Sequence, residues 1–255
     1  MKKLVKKVLK AFVTINSSYF LIRRLRGSIR YLVSVNKGMV FFYNDSERSN
    51  IIDLIHKIKE EREMILEDIE AYQLFIGVKR TEKVEGDIAE IGVYKGGSAK
   101  LICEAKGNRT FHLFDSFEGI PKVGESDDPQ FHQGQFLASL EEVKNYLGDY
   151  KNTYFYKGIF PLSTKPIESK RFSFVNLDVD TYGSTLDCLK FFYPRMNVGG
   201  IIISHDYMYS VGVRKAIDEF FRDKPEPVII LPGTQCLIVK AQLNWSRPPV
   251  PVPSC

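Results

Sequence analysis

The sequence contains no run of the ~20 continuous apolar residues that a membrane-spanning helix needs. Its start does not read as a secretory signal, because Lys10 interrupts the apolar stretch and no small-residue cleavage site follows. Cysteine is scarce. Cys103, Cys188, Cys236 and Cys255 show no CxxC spacing, which argues against a zinc site or a disulfide framework and for a reducing, cytoplasmic setting. No internal repeat is present, and neither is the GxGxxG turn that cradles a pyrophosphate. Acidic residues are missing altogether from positions 1–44, where ten Lys or Arg occur (Lys2, Lys3, Lys6, Lys7, Lys10, Arg23, Arg24, Arg26, Arg30 and Lys37). The net charge of +5 is therefore local, since the remainder holds 26 basic against 31 acidic residues. What is present is ordinary: 255 residues, 44% apolar and 26% charged, suit one large domain with a sizeable core and a terminal extension.

Three segments follow from these shifts: a basic extension (1–45), a main domain (46–241) and a Pro-rich tail (242–255). In the extension, Met1, Leu4, Val5, Val8, Leu9 and Phe12 recur at helical spacing with lysines between them, which predicts an amphipathic helix. A weaker copy follows in Ile22, Leu25, Ile29 and Leu32. Two readings stay open: residues 1–35 lie on an anionic membrane surface at its cytoplasmic face, or they pack on the domain or on a second subunit in a homo-oligomer. Nucleic acid is disfavoured, because no binding motif or aromatic interleaving accompanies the charge.

A helix is predicted from Ser46 to Phe75, with a role in packing and gating. After Gly86, strands and helices alternate. The strands are read at Ile88–Ile91, Thr110–Phe114, Thr153–Tyr156, Phe172–Leu177 and Ile201–Ser204; the helices at Ser98–Ala105, Ser139–Leu147, Ser184–Phe192 and Val213–Phe221. This alternation predicts an α/β fold with a doubly wound, mostly parallel sheet. Val228–Leu231 and Gln235–Val239 are read as a terminal antiparallel hairpin.

The stretch Asp87-Ile88-Ala89-Glu90-Ile91-Gly92-Val93-Tyr94-Lys95-Gly96-Gly97-Ser98 runs a strand into a glycine-rich turn that opens a helix. Ligands of open α/β sheets bind at the carboxyl ends of the strands. Gly92 would let the backbone approach a cofactor, and Gly96 and Gly97 would permit a tight turn, with Tyr94 and Ser98 beside it. A carboxylate at Glu90 would repel phosphate and could pair with an ammonium, which favours S-adenosylmethionine over NAD. Asp115, at the end of the next strand, is placed to accept a ribose diol, with Ser116 assisting. Gly158 could border an adenine.

The fourth strand ends in Asp178-Val179-Asp180 and the fifth in His205-Asp206-Tyr207. Two carboxylates with an imidazole would suit Mg²⁺ or another divalent ion, so Asp178, His205 and Asp206 are candidate ligands, with Asp178 also near the cofactor. Such an ion lowers the pKa of an alcohol, and Asp180 could take its proton as general base. His112 is read as a satisfied strand histidine. Asp127, Asp128 and His132, in the long polar loop 118–135, are weak substrate-contact candidates and more readily a solvated loop.

The strings GDIAEIGVYKGGSA, LFDSFEGIP, YKGIFPLS, LDVDTYGSTLDCLKFFYP, VGGIIISHDY and VRKAIDEFF, in this order over roughly Gly86 to Phe221, resemble the macrocin O-methyltransferase family, which includes the mycinamicin and novobiocin sugar methyltransferases. The resemblance implies a Rossmann-like class I methyltransferase using S-adenosylmethionine and Mg²⁺ on a deoxysugar hydroxyl. It matches Asp178 and His205–Asp206 to metal ligands and Asp180 to the base. One departure is His205, where the family typically has an acid. The expected function is thus metal-assisted O-methylation of a hydroxyl on a sugar or glycoside, in glycan or natural-product biosynthesis. The alternatives are an NAD-dependent oxidoreductase on a similar sheet and a non-catalytic, membrane-associated protein that has kept the fold.

Overall fold

The structure, a computed structural model, describes residues 46–242 and the backbone of 20–22, 30–34 and 38–42. The chain divides into two compact units, Met1–Ile51 and Ile52–Cys255. In the first, β1 (Phe20–Ile22), β2 (Arg30–Ser34) and β3 (Gly38–Phe42) form an antiparallel meander in that order. Phe20 pairs with Val33, and Ser34 pairs with Gly38. This corrects the second predicted helix: Ile22 and Leu32 lie in strands. Tyr31 and Val33 and then Val40, Phe41 and Phe42 are β-branched or aromatic residues, whose preference for a pleated surface outweighs a loose helical spacing. The predicted basic helix of residues 1–13 and the tail 243–255 lie outside the described residues.

The second unit opens on two helices instead of the single one expected. Helix α1 (Ser46–Glu61) and α2 (Asp68–Arg80) are separated by residues 62–67. The apolar sequence Met64-Ile65-Leu66 continues the helical pattern and so conceals the break. The break is fixed by Glu67, whose N–H donates to Glu70 Oε2 at 2.9 Å in a reciprocal cap. Met64 packs against Gly97, where a Cβ would lie 2.6 Å from the Met64 Cβ.

The main sheet then builds from β4 (Asp87–Ile91), β5 (Phe111–Asp115), β6 (Thr153–Lys157), β7 (Phe172–Leu177), β8 (Met196–Ser204), β9 (Ile229–Ile230) and β10 (Cys236–Val239). Its order is β6-β5-β4-β7-β8-β10-β9. The first five are parallel; β10 runs antiparallel to β8 and to β9. Four helices connect them: α3 (Gly97–Ala105), α4 (Leu140–Tyr146), α5 (Tyr182–Phe192) and α6 (Val211–Phe221). This is the predicted doubly wound, mostly parallel sheet with an antiparallel terminal hairpin. Strand β7 is buried at every position, as a central parallel strand must be.

Alternation along the strands sorts the two faces. Ala89, Ile91, Val175, Leu177 and Ile202 join the core that α5 and α6 cover through Leu189, Phe192, Val213 and Ile217. On the opposite face, Phe174 and Ile203 meet Gly77 of α2, and α3 packs beside α2. His112, read as a satisfied histidine, is one: its ring nitrogens lie 3.0 Å from the Tyr156 hydroxyl and 2.9 Å from Asp87 Oδ2.

Candidate active site

Parallel register brings the strand tips into line. Ile91 pairs with Leu177, and Leu177 with Ser204. The ladder continues one step beyond the strands, because the Asp178 N–H donates to the Ile91 carbonyl at 2.9 Å and the His205 N–H to the Leu177 carbonyl at 2.8 Å. Gly92, Asp178 and His205 therefore stand side by side at the floor of a cavity of about 500 Å³. At this edge Tyr94, Asp180 and Asp206 take left-handed backbone conformations, with φ of 49°, 60° and 59°. Non-glycine residues adopt these rarely, and such strain concentrates at functional sites.

The acids and the imidazole converge as the sequence suggested. Ligating atoms of Asp178, His205 and Asp206 all lie within 4.8 Å of one another. His205 Nδ1 is 3.5 Å from Asp206 Oδ1 and 4.0 Å from Asp178 Oδ1. Burial raises the Asp178 pKa, with Asp206 and Glu70 adding repulsion that His205 only partly relieves. Burial raises Asp180 well above the ordinary carboxylate value, and Asp178 and Asp206 add to it. Burial alone would lower the His205 pKa, but Asp178, Asp206 and Glu70 outweigh it and push it up. Crowded carboxylates that resist ionising together are what a divalent cation would relieve. Two hard oxygen donors with one imidazole fit Mg²⁺ or Mn²⁺ and accept softer ions.

The predicted cofactor residues separate into those that reach the cavity and those that shape it. Gly92, Tyr94, Ser98, Asp115, Ser116, Gly158 and Asp178 line it; Glu90 and Gly96 do not. Glu90 is wholly buried on the α2/α3 face beneath Ser98, opposite Asn176 in the register, and accepts from Asn176 Nδ2 at 3.1 Å. Burial pushes its pKa up to about 8, against the opposing hydrogen bonds from Ser98 and Asn176. It thus lies behind the cavity and not in its lining, beneath the turn where the sequence reading set the methionine end of the cofactor. Gly96, φ +84°, makes the left-handed turn into α3 against Val143, so its part is conformational. Gly92 is required by a different neighbour from the one expected: a Cβ there would lie 1.7 Å from the Asp178 carbonyl oxygen.

Asp115 is a clasp as well as a candidate ribose acceptor. Its Oδ2 accepts from Val93 N at 2.7 Å and Tyr94 N at 2.9 Å, and its Oδ1 from Phe117 N at 2.6 Å. One lone pair on Oδ1 remains to face the cavity. Ser116 is likewise tied down, donating to the Gly119 carbonyl at 2.7 Å.

Asp127 and Asp128 bond within the protein and do not line the cavity. Asp127 Oδ1 accepts from Tyr182 N at 2.6 Å, and Asp128 Oδ2 from Val211 N at 2.9 Å. They cap the first turns of α5 and α6 from the long loop, whose Phe131 and Phe136 then wall the cavity. His132 does not reach it either.

Sequence reading missed Glu70 and Thr234, which line the same cavity from α2 and from the hairpin turn. Glu70 Oε1 accepts from Thr234 N at 2.7 Å and Thr234 Oγ1 at 2.9 Å, and Oε2 lies 3.7 Å from His205 Nε2. Burial would raise the Glu70 pKa, but His205 and the N–H groups of Thr234 and Glu67 outweigh it and hold it below the ordinary carboxylate value. The capping signature Glu67-x-x-Glu70 was visible in the sequence, but nothing local told that its second acid faces a strand tip.

Residues 66–229 match the family model described as macrocin-O-methyltransferase (TylF). The chain belongs to the macrocin O-methyltransferase family of enzymes. Among its relatives it is 33% identical over 175 residues to the demethyldecarbamoylnovobiocin O-methyltransferase of Streptomyces niveus, covering 57% of this chain and 66% of that one. It is 30% identical over 217 residues to the mycinamicin III 3''-O-methyltransferase of Micromonospora griseorubida, covering 72% and 84%. The O-methyltransferase NovP shares the fold with a TM-score of 0.64 at 24% identity, over 76% of this chain and all of that one. Calicheamicin methyltransferase CalS11 shares it with a TM-score of 0.58 at 17% identity, over 80% and 98%. Family membership of this kind implies S-adenosylmethionine and leaves the NAD reading without support.

Proposed function

We propose that this macrocin-family enzyme transfers the methyl group of S-adenosylmethionine to a sugar hydroxyl, with a divalent cation held by Asp178, His205 and Asp206. One observation carries the reading: carboxylates and imidazole from two neighbouring strand tips meet beside the glycine turn, in one cavity. The relatives named above act, by their names, on novobiocin and mycinamicin precursors, which supports a glycoside in natural-product or glycan biosynthesis. Exposed Ile65, Ile159 and Tyr209 at the cavity suit an acceptor whose sugar is attached to something apolar.

In this reading the turn 92–98, Asp115, Ser116 and Gly158 hold the cofactor, which supplies the methyl group. The cation, when bound, would lower the pKa of the acceptor hydroxyl and orient its oxygen. Asp180 takes the hydroxyl proton. Its burial beside two other acids raises its proton affinity, as a base needs, and the bound cation would offset enough of that to leave it ionised before transfer. Phe131 and Phe136 from the loop and Met64 and Leu66 from the α1–α2 junction exclude water, and in-line positioning supplies much of the acceleration. The catalytic domain is taken as residues 46–241, with 1–45 an extension and 242–255 a tail.

Transfer of labelled methyl from S-adenosylmethionine to candidate sugars, with and without chelator, tests the proposal. Asp180→Asn is expected to lower kcat by roughly 10²–10⁴-fold with cofactor binding retained. Transfer that ignores the chelator removes the metal from the mechanism, and full activity of Asp180→Asn removes the base and favours another proton acceptor.

No helix among the described residues is long and apolar enough to cross a membrane. The ten bases and no acids of residues 1–44 support the reading of a cytoplasmic enzyme in peripheral contact with anionic lipid, and a homo-oligomer is compatible with the same segment.

A further inference from the structure

We propose that Glu70 is a positioning residue for His205: its carboxylate faces the Nε2–H, holds the proton on that nitrogen and so turns the Nδ1 lone pair toward the cation that Asp178 and Asp206 bind. The inference rests on the metal reading above and extends it to a helix outside the sheet. His205 Nε2 is buried and has no hydrogen-bond partner, and Glu70 Oε2, 3.7 Å away, is the carboxylate that faces it. On the other edge of the ring, Nδ1 faces Asp206 at 3.5 Å, the Thr234 hydroxyl at 3.5 Å and Asp178 at 4.0 Å, so without a cation these acceptors compete for the ring proton. A neutral imidazole has one N–H and one lone pair. An acceptor beside Nε2 keeps the proton on that side and leaves the lone pair pointing into the acidic cluster. There it repels the carboxylates unless a cation sits between them. Ligating histidines are commonly oriented in this way by an outer carboxylate.

Glu70 can do this because it cannot move away. The Thr234 N–H and hydroxyl hold one oxygen, the Glu67 N–H holds the other, and both bonds to Thr234 span 164 residues. A Cβ on Gly233 would lie 2.6 Å from Glu70 Oε1, so the hairpin turn closes tightly over the carboxylate. A neutral His205 brings no negative charge to the ion, and Glu70 supplies one a layer further out.

The test uses the full-length, metal-free protein titrated with Mn²⁺ and followed by electron paramagnetic resonance. Glu70→Gln is expected to weaken Mn²⁺ binding by roughly 10–100-fold. The same change in a His205→Asp background is expected to leave binding unchanged or tighten it, because the ring proton is gone and Glu70 then crowds another acid. Equal weakening in both backgrounds would mean a merely structural Glu70, and no weakening in the first would remove its role; either result overturns the proposal. A wild-type protein that binds S-adenosylmethionine but no Mn²⁺ overturns the metal reading itself. Should Glu70→Gln fail to fold, nitrogen NMR of labelled histidine in the wild-type protein decides the matter. Added Mg²⁺ should then perturb His205 Nδ1 while Nε2 keeps its proton; the reverse pattern sinks the idea.

Discussion

At the residue scale, several side chains near the cavity serve the backbone before they serve a ligand. Gly92 is fixed by the Asp178 carbonyl and by its φ of +87°. Gly92→Ala therefore pushes β4 and β7 apart at the point where Asp178 is aimed. Left-handed strain alone costs about 1–2 kcal/mol, and the displaced Asp178 should abolish metal binding even where the protein still folds; a thermal melt paired with a Mn²⁺ titration reads both. Glu90 gives a pH signature of the opposite origin. Its carboxyl holds a proton up to about pH 8 in the folded chain against 4.5 when unfolded. The folded state then binds one more proton between those values, so the Glu90 contribution to stability is fully present below about pH 4.5 and is lost as pH rises toward 8. Glu90→Gln should flatten this part of the stability curve, by an amount on the order of a few kcal/mol. Denaturant midpoints that fall equally with pH in both proteins would show that Glu90 ionises freely.

At the element scale, the long loop after β5 is not a free flap. Asp127 replaces a local cap at α5, where the N-cap Thr181 makes no side-chain capping bond, and Asp128 adds to the cap that Ser210 already gives α6 by accepting from Val213 N. Gly212 in the first turn of α6 lies so close that a Cβ would be 2.4 Å from Asp127 Oδ1. Removing a cap costs about 1 kcal/mol. Asp127→Ala with Asp128→Ala should thus free the loop, speed its proteolysis and amide exchange, and raise KM for the acceptor severalfold. Unchanged exchange across residues 118–135 would mean that Phe131 and Phe136 hold the loop by packing alone. The break between α1 and α2 belongs to the same scale. It lets Met64 and Leu66 reach the cavity and starts α2 where Glu70 faces His205.

At the scale of the whole molecule, charge is divided between a basic start and a mildly acidic remainder. If residues 1–35 meet lipid, binding to vesicles should require anionic headgroups and weaken steeply with added salt, within a Debye length of ~10 Å at 0.1 M. Sedimentation with neutral and anionic vesicles at low and high salt measures this, and salt-insensitive or headgroup-insensitive binding would assign the segment to protein packing. The antiparallel meander of β1, β2 and β3 matters here, since part of this segment presents strands where a lipid-facing helix was expected.

The local sequence determined the alternation of strands and helices, the glycine turn after β4 and the acids at the ends of β7 and β8. These depend on periodicity, turn chemistry and position within one element, all of which a short window of sequence contains. Even the meeting of Asp178, His205 and Asp206 was legible, because neighbouring parallel strands of a doubly wound sheet end at the same edge. Only the tertiary structure decided which face of β4 receives Glu90, that Asp127 and Asp128 grip helix starts, and that Glu70 stands behind His205. Each of those depends on partners 55 to 135 residues away or more, across elements whose register and packing fix the distance, and spacing along the chain contains no trace of it.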